Sequence, residues 1–242
     1  MSGAGAKRAV DSGTPFYRIC AVAALAVAAI GFFLTYLRPM AVGTFEGPRL
    51  AHVHGALLLS WLLLVIAQAF LVRRRLRIHR KLGWAALVLA PAIAVSTALV
   101  GAEAARRDML LGGQSAADNA VGNITTPLVF LLLVCAAIVA RKRPQWHKRL
   151  IFLATAAILW PAWFRWRHFL PEFPRPDIWL GIVLADVPII IAVVRDRARF
   201  GAVHPAYLIA GPAVIAEQLA EVFLFGGPLW HRAAMGALEF LP

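Results

Sequence analysis

A basic stretch at residues 73–82, with the sequence RRRLRIHRKL, decides how this chain folds, because a second copy follows 68 residues later. Residues 141–150 read RKRPQWHKRL, so both copies have three cations, three variable residues, a histidine, two cations and a leucine. Each copy lies between two long apolar runs. Cationic segments resist translocation across a bilayer, so each copy is predicted to form the cytoplasmic turn of a transmembrane helical hairpin. A looser third copy at residues 195–199 is followed by His204 and Pro205.

The composition is typical of a membrane protein. Hydrophobic residues make up 61% of the 242 residues and charged residues only 15%, and the mean hydropathy is +0.73. Soluble globular domains average about 45–50% apolar and about 25% charged residues. The formal net charge of +13 comes from cations that cluster at the ends of apolar runs, which membrane topology explains without nucleic acid. The expected partner is therefore the lipid bilayer and not a nucleic acid.

The apolar runs predict an all-α fold, a polytopic bundle of seven transmembrane helices, because most runs approach the ~20 apolar residues that cross a bilayer. One N-terminal helix precedes three parallel helical hairpins that turn at the basic stretches. The predicted domains are a cytoplasmic tail at residues 1–15, a seven-helix transmembrane domain at 16–225 and an outer-face C-terminal tail at 226–242. The predicted helices cover about residues 16–37, 50–72, 82–101, 125–140, 150–163, 178–194 and 205–225.

Two segments outside the regular runs have their own signals. Thr125 and Thr126 precede Pro127, a pattern that favours a hydroxyl cap and the start of the fourth helix. Residues 102–123 are then the longest polar connection. The tail at 226–242 is mildly amphipathic, which predicts a helix that lies at the membrane interface.

The distribution of cations sets the predicted orientation. The N-terminal tail and the basic turns hold most of the 25 Lys and Arg residues, and only Asp11 and Asp196 offset them. Cation-rich segments stay in the cytoplasm. The N-terminus is therefore predicted inside and the C-terminus outside, in a bacterial-type inner (plasma) membrane that the chain crosses several times.

Several short motifs between residues 52 and 210 resemble those of a group of uncharacterised bacterial seven-helix inner-membrane proteins. The resemblance implies the seven-helix architecture and carries over no activity. The matching motifs are His52-x-His54-Gly55 with Trp61 and Gln68, His79-Arg80-x-Leu82-Gly83, His147-Lys148-Arg149-Leu150, and Asp196-Arg197 followed by His204-Pro205-Ala206.

Three histidines near the cytoplasmic face, His79, His147 and His204, are candidates for cofactor binding. Each begins an outward-running helix, where the helix dipole and the adjacent cations disfavour the imidazolium form. Neutral imidazoles can bind haem iron, and the surrounding cations suit haem propionates. Alternatively, each ring bonds a neighbouring backbone carbonyl where its helix begins.

The outer half of the bundle holds a second candidate set, His52, His54, Glu217 and Glu221, with ligand types that suit a transition-metal ion. His52 and His54 point about 200° apart on an intact helix, so both reach one ion only if that turn is extended. Glu217 and Glu221 are four residues apart, share one face and are expected to point towards the second helix. Alternatively, the glutamates form structural ion pairs with Arg106, Arg165 or Arg167.

Two further polar residues are predicted to lie inside the membrane. Gln68 follows His54 and Trp61 at intervals of seven residues, so the three share a stripe that faces the bundle rather than lipid. Asp186 lies near the middle of the sixth helix. Ionisable residues at that depth are costly and are functional candidates.

Three classes of function fit these residues. The first is an integral membrane protein whose polar His/carboxylate site binds a metal or haem for redox chemistry or metal handling. The second is a permease for a small solute or for protons, in which Asp186, Glu217 and Glu221 form a relay. The third is an accessory or assembly protein that has no site.

Overall fold

The computed structural model describes residues 14–111 and 116–241, which within these ranges are helices joined by turns, without strands. The main helices of the described ranges are α1 (Pro15–Ala41), α2 (Arg49–Arg74), α3 (Leu76–Leu110), α4 (Asn119–Lys142), α5 (Pro144–Ile158), α6 (Pro176–Phe200), α7 (Pro205–Leu224) and α8 (Pro228–Phe240). Six of them, all except α5 and α8, are long and apolar enough to cross a membrane. The predicted all-α membrane fold is confirmed to this extent. The predicted tail at residues 1–15 lies almost wholly outside the described ranges.

The connection between the third and fourth predicted helices differs from the prediction. α3 continues to Leu110, and α4 already begins at Asn119. Both extensions are stabilised by packing, since they contribute to a small buried cluster of Ala102, Ala105, Ala117, Ala120, Ala234 and Leu238. Thr125 and Thr126 therefore lie inside α4 together with Pro127, so the predicted hydroxyl cap is wrong.

The three basic turns lie at one end of the bundle, which we call the basic end. The Arg141 guanidinium of the second turn lies 5.7 Å from the ring centroid of Trp84, just after the first turn. The Arg195 guanidinium of the third turn lies 5.0 Å from the ring centroid of Phe16, at the start of α1. The repeated basic stretches thus converge in space, as the hairpin pattern requires.

The short helix α5 occupies the centre of the bundle. It contacts α1, α4, α6 and α7, and about half of its side chains are buried, among them Arg149, Leu153, Ala154 and Ala157. Each predicted hairpin pair is in contact, but α1 also contacts α2 and α3 also contacts α4. The contacts therefore do not single out three hairpins as the units of the fold.

α5 and the short turn that follows it, Trp160–Phe164, run alongside α1. Near the basic end, the ring centroids of Phe16 and Phe152 are 6.0 Å apart. Farther along, the Arg165 guanidinium lies 4.4 Å from the ring centroid of Phe32. A Cβ atom at Gly31 would collide with the backbone of Ala162, so glycine permits this close approach.

The C-terminal helix α8 packs at the end of the bundle opposite the basic turns, which we call the opposite end. The chain leaves α7 through Gly226, whose φ of 76° favours glycine. α8 then covers the N-terminal end of α4. The Arg106 guanidinium of α3 donates to the carbonyl oxygens of Leu238 and Leu241, both at 2.6 Å, so the C-terminal end of α8 is held against α3.

Candidate functional site

The two glutamates of α7 contact threonine hydroxyls of α4. The hydroxyl oxygens of Thr125 and Thr126 both lie 2.8 Å from Glu217 Oε1. The Thr126 hydroxyl oxygen also lies 3.3 Å from Glu221 Oε2. The shared face of Glu217 and Glu221 therefore points into the bundle as predicted, but towards α4 and not towards α2.

Gly122 makes the position of Glu221 possible. It lies one helical turn before Thr126 on the same face of α4, and a Cβ atom there would collide with the Glu221 carboxylate. The carboxylate is thus held against the α4 backbone.

Within the described residues, neither glutamate has a cationic partner, so the ion pairs considered as an alternative are not observed. Arg106 donates to backbone carbonyls of α8. Arg165 donates to the carbonyl of Pro161 at 3.2 Å, and the Arg167 guanidinium lies 3.8 Å from the ring centroid of Phe164. In the described part of the chain, the hydrogen-bond partners of the two carboxyl groups are threonine hydroxyls.

Asp186 of α6 is buried and pairs with a side chain of α7. It is 4% exposed, and its neighbour Gln218 is 2% exposed. With the Gln218 amide nitrogen facing Asp186, the nitrogen lies 3.2 Å from both carboxylate oxygens. α6 is irregular at this level, because a π-helical turn, Trp179–Leu184, precedes Asp186 and Pro188 follows it. Such turns often mark functional sites.

Two sets of polar contacts, one of Asp186 with Gln218 and one of the glutamates with the threonines, meet at adjacent residues of α7 and involve three helices. Gln218 adjoins Glu217 in α7, so the contacts of Asp186 and of the two glutamates fall within adjacent turns of one helix. We call this group the carboxylate cluster and define it as Thr125, Thr126, Asp186, Glu217, Gln218 and Glu221.

The two histidines of α2 lie apart from the carboxylate cluster. His52 Nδ1 lies 2.8 Å from the Tyr36 hydroxyl oxygen of α1. His54 Nδ1 lies 3.0 Å from Ser96 Oγ of α3. Since Ser96 donates its hydroxyl hydrogen to the Ile93 carbonyl, His54 donates to Ser96.

The predicted metal site at His52, His54, Glu217 and Glu221 has no support in the structure. Residues 49–74 remain helical, so the two histidines point in different directions. α7 packs against α4, and threonine hydroxyls of α4 donate hydrogen bonds to Glu217. Among the residues that the structure describes, no three His, Cys, Asp or Glu side chains are grouped so that they could hold a metal ion.

The repeated histidines of the basic turns have one shared structural role. His79 Nδ1 donates to the Gln68 carbonyl at 3.3 Å, and His147 Nδ1 donates to the Ala137 carbonyl at 2.8 Å. Each bond joins the start of one helix to the end of the preceding one. This arrangement matches the alternative interpretation, in which these rings bond backbone carbonyls.

His204 differs from the other two. Its Nδ1 accepts a hydrogen bond from the Ala206 N–H at 3.1 Å and so caps α7. Burial lowers the pKa of His204, and the nearby Arg149 lowers it further, so the ring is neutral as expected. These hydrogen bonds use Nδ1 and not Nε2, and a histidine that binds a metal commonly bonds the backbone in this way, so haem binding at His79, His147 and His204 stays a prediction.

Trp61 and Gln68 continue the inward-facing stripe of α2. Trp61 is 1% exposed, and its Nε1–H donates to the Thr155 hydroxyl at 3.3 Å. Its ring packs edge-on against Phe130, with centroids 4.8 Å apart. The Gln68 amide is also buried, close to Gly83, and has no hydrogen-bond partner among the described residues.

The sequence interpretation missed a buried ion pair at the basic end. Arg149 of α5 and Asp196 of α6 form two parallel hydrogen bonds of 2.9 Å, and their side chains are 2% and 1% exposed. Arg149 also donates to the backbone and side-chain oxygens of Gln145. The available signal was Asp196 itself, an acid placed among the basic turns.

Comparison of the chain with protein-family models, with curated proteins and with solved structures finds no match. The functional argument therefore depends on the geometry of the carboxylate cluster.

Proposed function

We propose that the chain is an inner-membrane permease that moves protons, alone or together with a small solute, and that the carboxylate cluster is its proton-binding site. One observation carries the proposal. The hydroxyl oxygen of Thr126 lies within hydrogen-bond distance of carboxyl oxygens of both Glu217 and Glu221. Its single hydrogen can be donated to only one of them.

Protonation of Glu221 allows the Thr126 hydroxyl to form hydrogen bonds with both glutamates. Thr126 then donates to Glu217, while the protonated Glu221 donates to the Thr126 oxygen. Hydroxyl groups both donate and accept, so they serve the charged and the neutral forms of the carboxyl groups. Acids that lack cationic partners inside membrane-spanning helices are typical of proton relays.

Asp186 adds a third carboxyl group to the cluster, at the level of Gln218. On α6, Asp186 and Asp196 both belong to the buried face, and their spacing of ten residues corresponds to ~15 Å. The proposed path runs from Glu217 to Asp186, which lies at the level of Gln218, and then along this stretch of α6 to the basic end.

We further propose that the chain crosses the membrane seven times, with its N-terminus in the cytoplasm and its C-terminus outside. The six long helices account for six crossings, and α5 together with the turn after it supplies the remaining one. Their contacts with α1 run from Phe16 to Phe32, which spans ~24 Å at 1.5 Å per residue. The convergence of cations at the basic end supports the cytoplasmic assignment of that end.

Labelling of single cysteines tests this topology. In a variant without Cys20 and Cys135, we expect cysteines that replace Thr44 or Glu172 to react with an impermeant thiol reagent added outside intact cells. A cysteine that replaces Arg143 is expected to react only after the cells are opened. All three positions are exposed. Protection of the Glu172 position would mean that α5 does not cross, and labelling of the Arg143 position from outside would invert the topology.

Proton uptake into liposomes tests the proposed function. We expect the wild-type protein to carry protons when a potassium diffusion potential drives them, and Glu221→Gln to reduce the rate at least ~10-fold, because the loss of a proton-transfer group costs about 10²–10⁴-fold. Glutamine can still donate to Thr126, so the fold is retained.

The matched control is Glu172→Gln, which neutralises an exposed glutamate outside the cluster and is expected to leave the rate unchanged. Equal rates for all three proteins would show that the carboxylate cluster is not the path. A wild-type protein that carries no protons would exclude the proton permease and leave the accessory or assembly protein.

A further inference from the structure

The opposite end of the bundle carries a histidine–aspartate pair that joins α8 to the start of α4. His231 Nδ1 lies 2.9 Å from Asp118 Oδ1. The His231 side chain is 46% exposed, whereas that of Asp118 is 3% exposed. The pair therefore connects solvent to a buried carboxyl group.

Asp118 lies in line with the carboxylate cluster. Asp118 ends the short 3₁₀ turn before α4, and Gly122 and Thr126 follow it at intervals of four residues, in steps of ~6 Å along one side of the helix. The Glu221 carboxylate lies against Gly122, and Thr126 contacts both glutamates. One helical turn thus separates Asp118 from the residue against which Glu221 rests.

α8 holds this pair in place. The Trp230 Nε1–H donates to the Asp118 carbonyl at 2.9 Å, and Ala234 and Leu238 pack into the small alanine cluster beside α4. Farther along α8, Arg106 of α3 donates to the carbonyl oxygens of Leu238 and Leu241.

We propose that His231 and Asp118 are the outer proton-uptake site of the carboxylate cluster, an inference that rests on the proposed proton function. His231 takes a proton from water at Nε2 and releases its Nδ1 proton to Asp118. Asp118 then loses that proton to Glu221, with water bridging the one-turn gap. Each step breaks one N–H or O–H bond and forms another, so no other reactant is needed.

The test measures how fast the carboxyl groups of the cluster exchange their protons. The full-length protein in detergent is mixed rapidly with D₂O buffer, and the infrared C=O band of the protonated carboxyl group is followed. Glu221→Gln identifies the band, because it removes that signal. No solute is required, so the readout does not depend on what else the permease carries.

We expect His231→Gln to slow the exchange at least ~10-fold, since general acid–base groups contribute about 10²–10⁴-fold. Glutamine can keep a hydrogen bond to Asp118 but cannot relay a proton. His231→Ala is expected to be slow as well, and added imidazole is expected to restore its rate. The matched control is His168→Ala, which removes an exposed histidine at the same end of the bundle and should exchange at the wild-type rate.

The outcomes separate this inference from the proposed function. If His231→Gln exchanges at the wild-type rate, or if imidazole does not accelerate His231→Ala, the pair only fastens α8 and the inference is wrong. If the wild-type protein has no carboxyl band that Glu221→Gln removes between pH 4 and pH 9 (roughly the range in which perturbed carboxyl groups titrate), the proton-binding function itself is wrong.

Discussion

Arg149→Met is expected to destabilise the protein by about 3 kcal/mol, the lower end of the range for a broken buried ion pair, because the buried Asp196 then keeps only the more distant Arg195, at 3.6 Å, as a cation among the described residues. The pair makes parallel 2.9 Å hydrogen bonds and is almost fully shielded from solvent. The bonds between Arg149 and Asp196 join α5 to α6, so the substitution also loosens the contact between these helices. Arg149 in addition donates to Gln145 within α5. The free energy of unfolding can be measured in mixed micelles by titration with a denaturing detergent, with tryptophan fluorescence as the signal.

Removal of both charges separates the cost of an unpaired charge from the value of the pair. The double variant Arg149→Met with Asp196→Leu is expected to regain most of the lost stability, since a buried pair is often replaced by apolar side chains without loss. The exposed pair of Arg175 and Asp177 provides the control, and Arg175→Met should leave stability unchanged. A double variant no more stable than Arg149→Met would mean that Arg149 acts through contacts other than Asp196.

The membrane architecture was predictable because it depends on local properties of the sequence. Apolar length and the placement of cations act segment by segment. They gave the six helices that qualify as membrane spans and the convergence of the basic turns. The inward-facing stripe was also predictable, since periodicity fixes which residues share a face, and Trp61 is buried as expected.

The partners of the polar residues were not predictable, because they depend on which helices are neighbours. Glu217 and Glu221 were expected to point towards α2, but α7 packs against α4. Thr125 and Thr126 resemble a helix cap in sequence, yet they lie inside α4 and contact the glutamates. Periodicity identifies a polar face but not the helix that covers it.

The duplicated basic turns illustrate how a repeated motif can indicate architecture rather than chemistry. His79 and His147 donate to backbone carbonyls eleven and ten residues earlier. Both bonds close the turn between consecutive helices, so duplication of a hairpin is enough to explain the shared histidine. The functional candidates lie instead among residues without a counterpart in the repeat, such as Glu217, Glu221 and His231.

Trp61→Ala is expected to cost about 3 kcal/mol, the lower end of the range for large-to-small substitutions of buried aromatic residues. The lower end applies because lipid is as apolar as the protein interior. The loss then comes mainly from the cavity and from missing contacts with Phe130 and Thr155. The same unfolding titration, followed by circular dichroism because a tryptophan is removed, measures the effect.

Two further variants show which contacts account for the free energy of unfolding that is lost in Trp61→Ala. Trp61→Phe loses the hydrogen bond to Thr155 but keeps much of the ring, so it is expected to cost about 1 kcal/mol. Trp179→Ala truncates a tryptophan that is 52% exposed on α6, and its effect should be smaller than that of Trp61→Ala. Equal losses for Trp61→Ala and Trp179→Ala would contradict the placement of Trp61 at the centre of the α2, α4 and α5 packing.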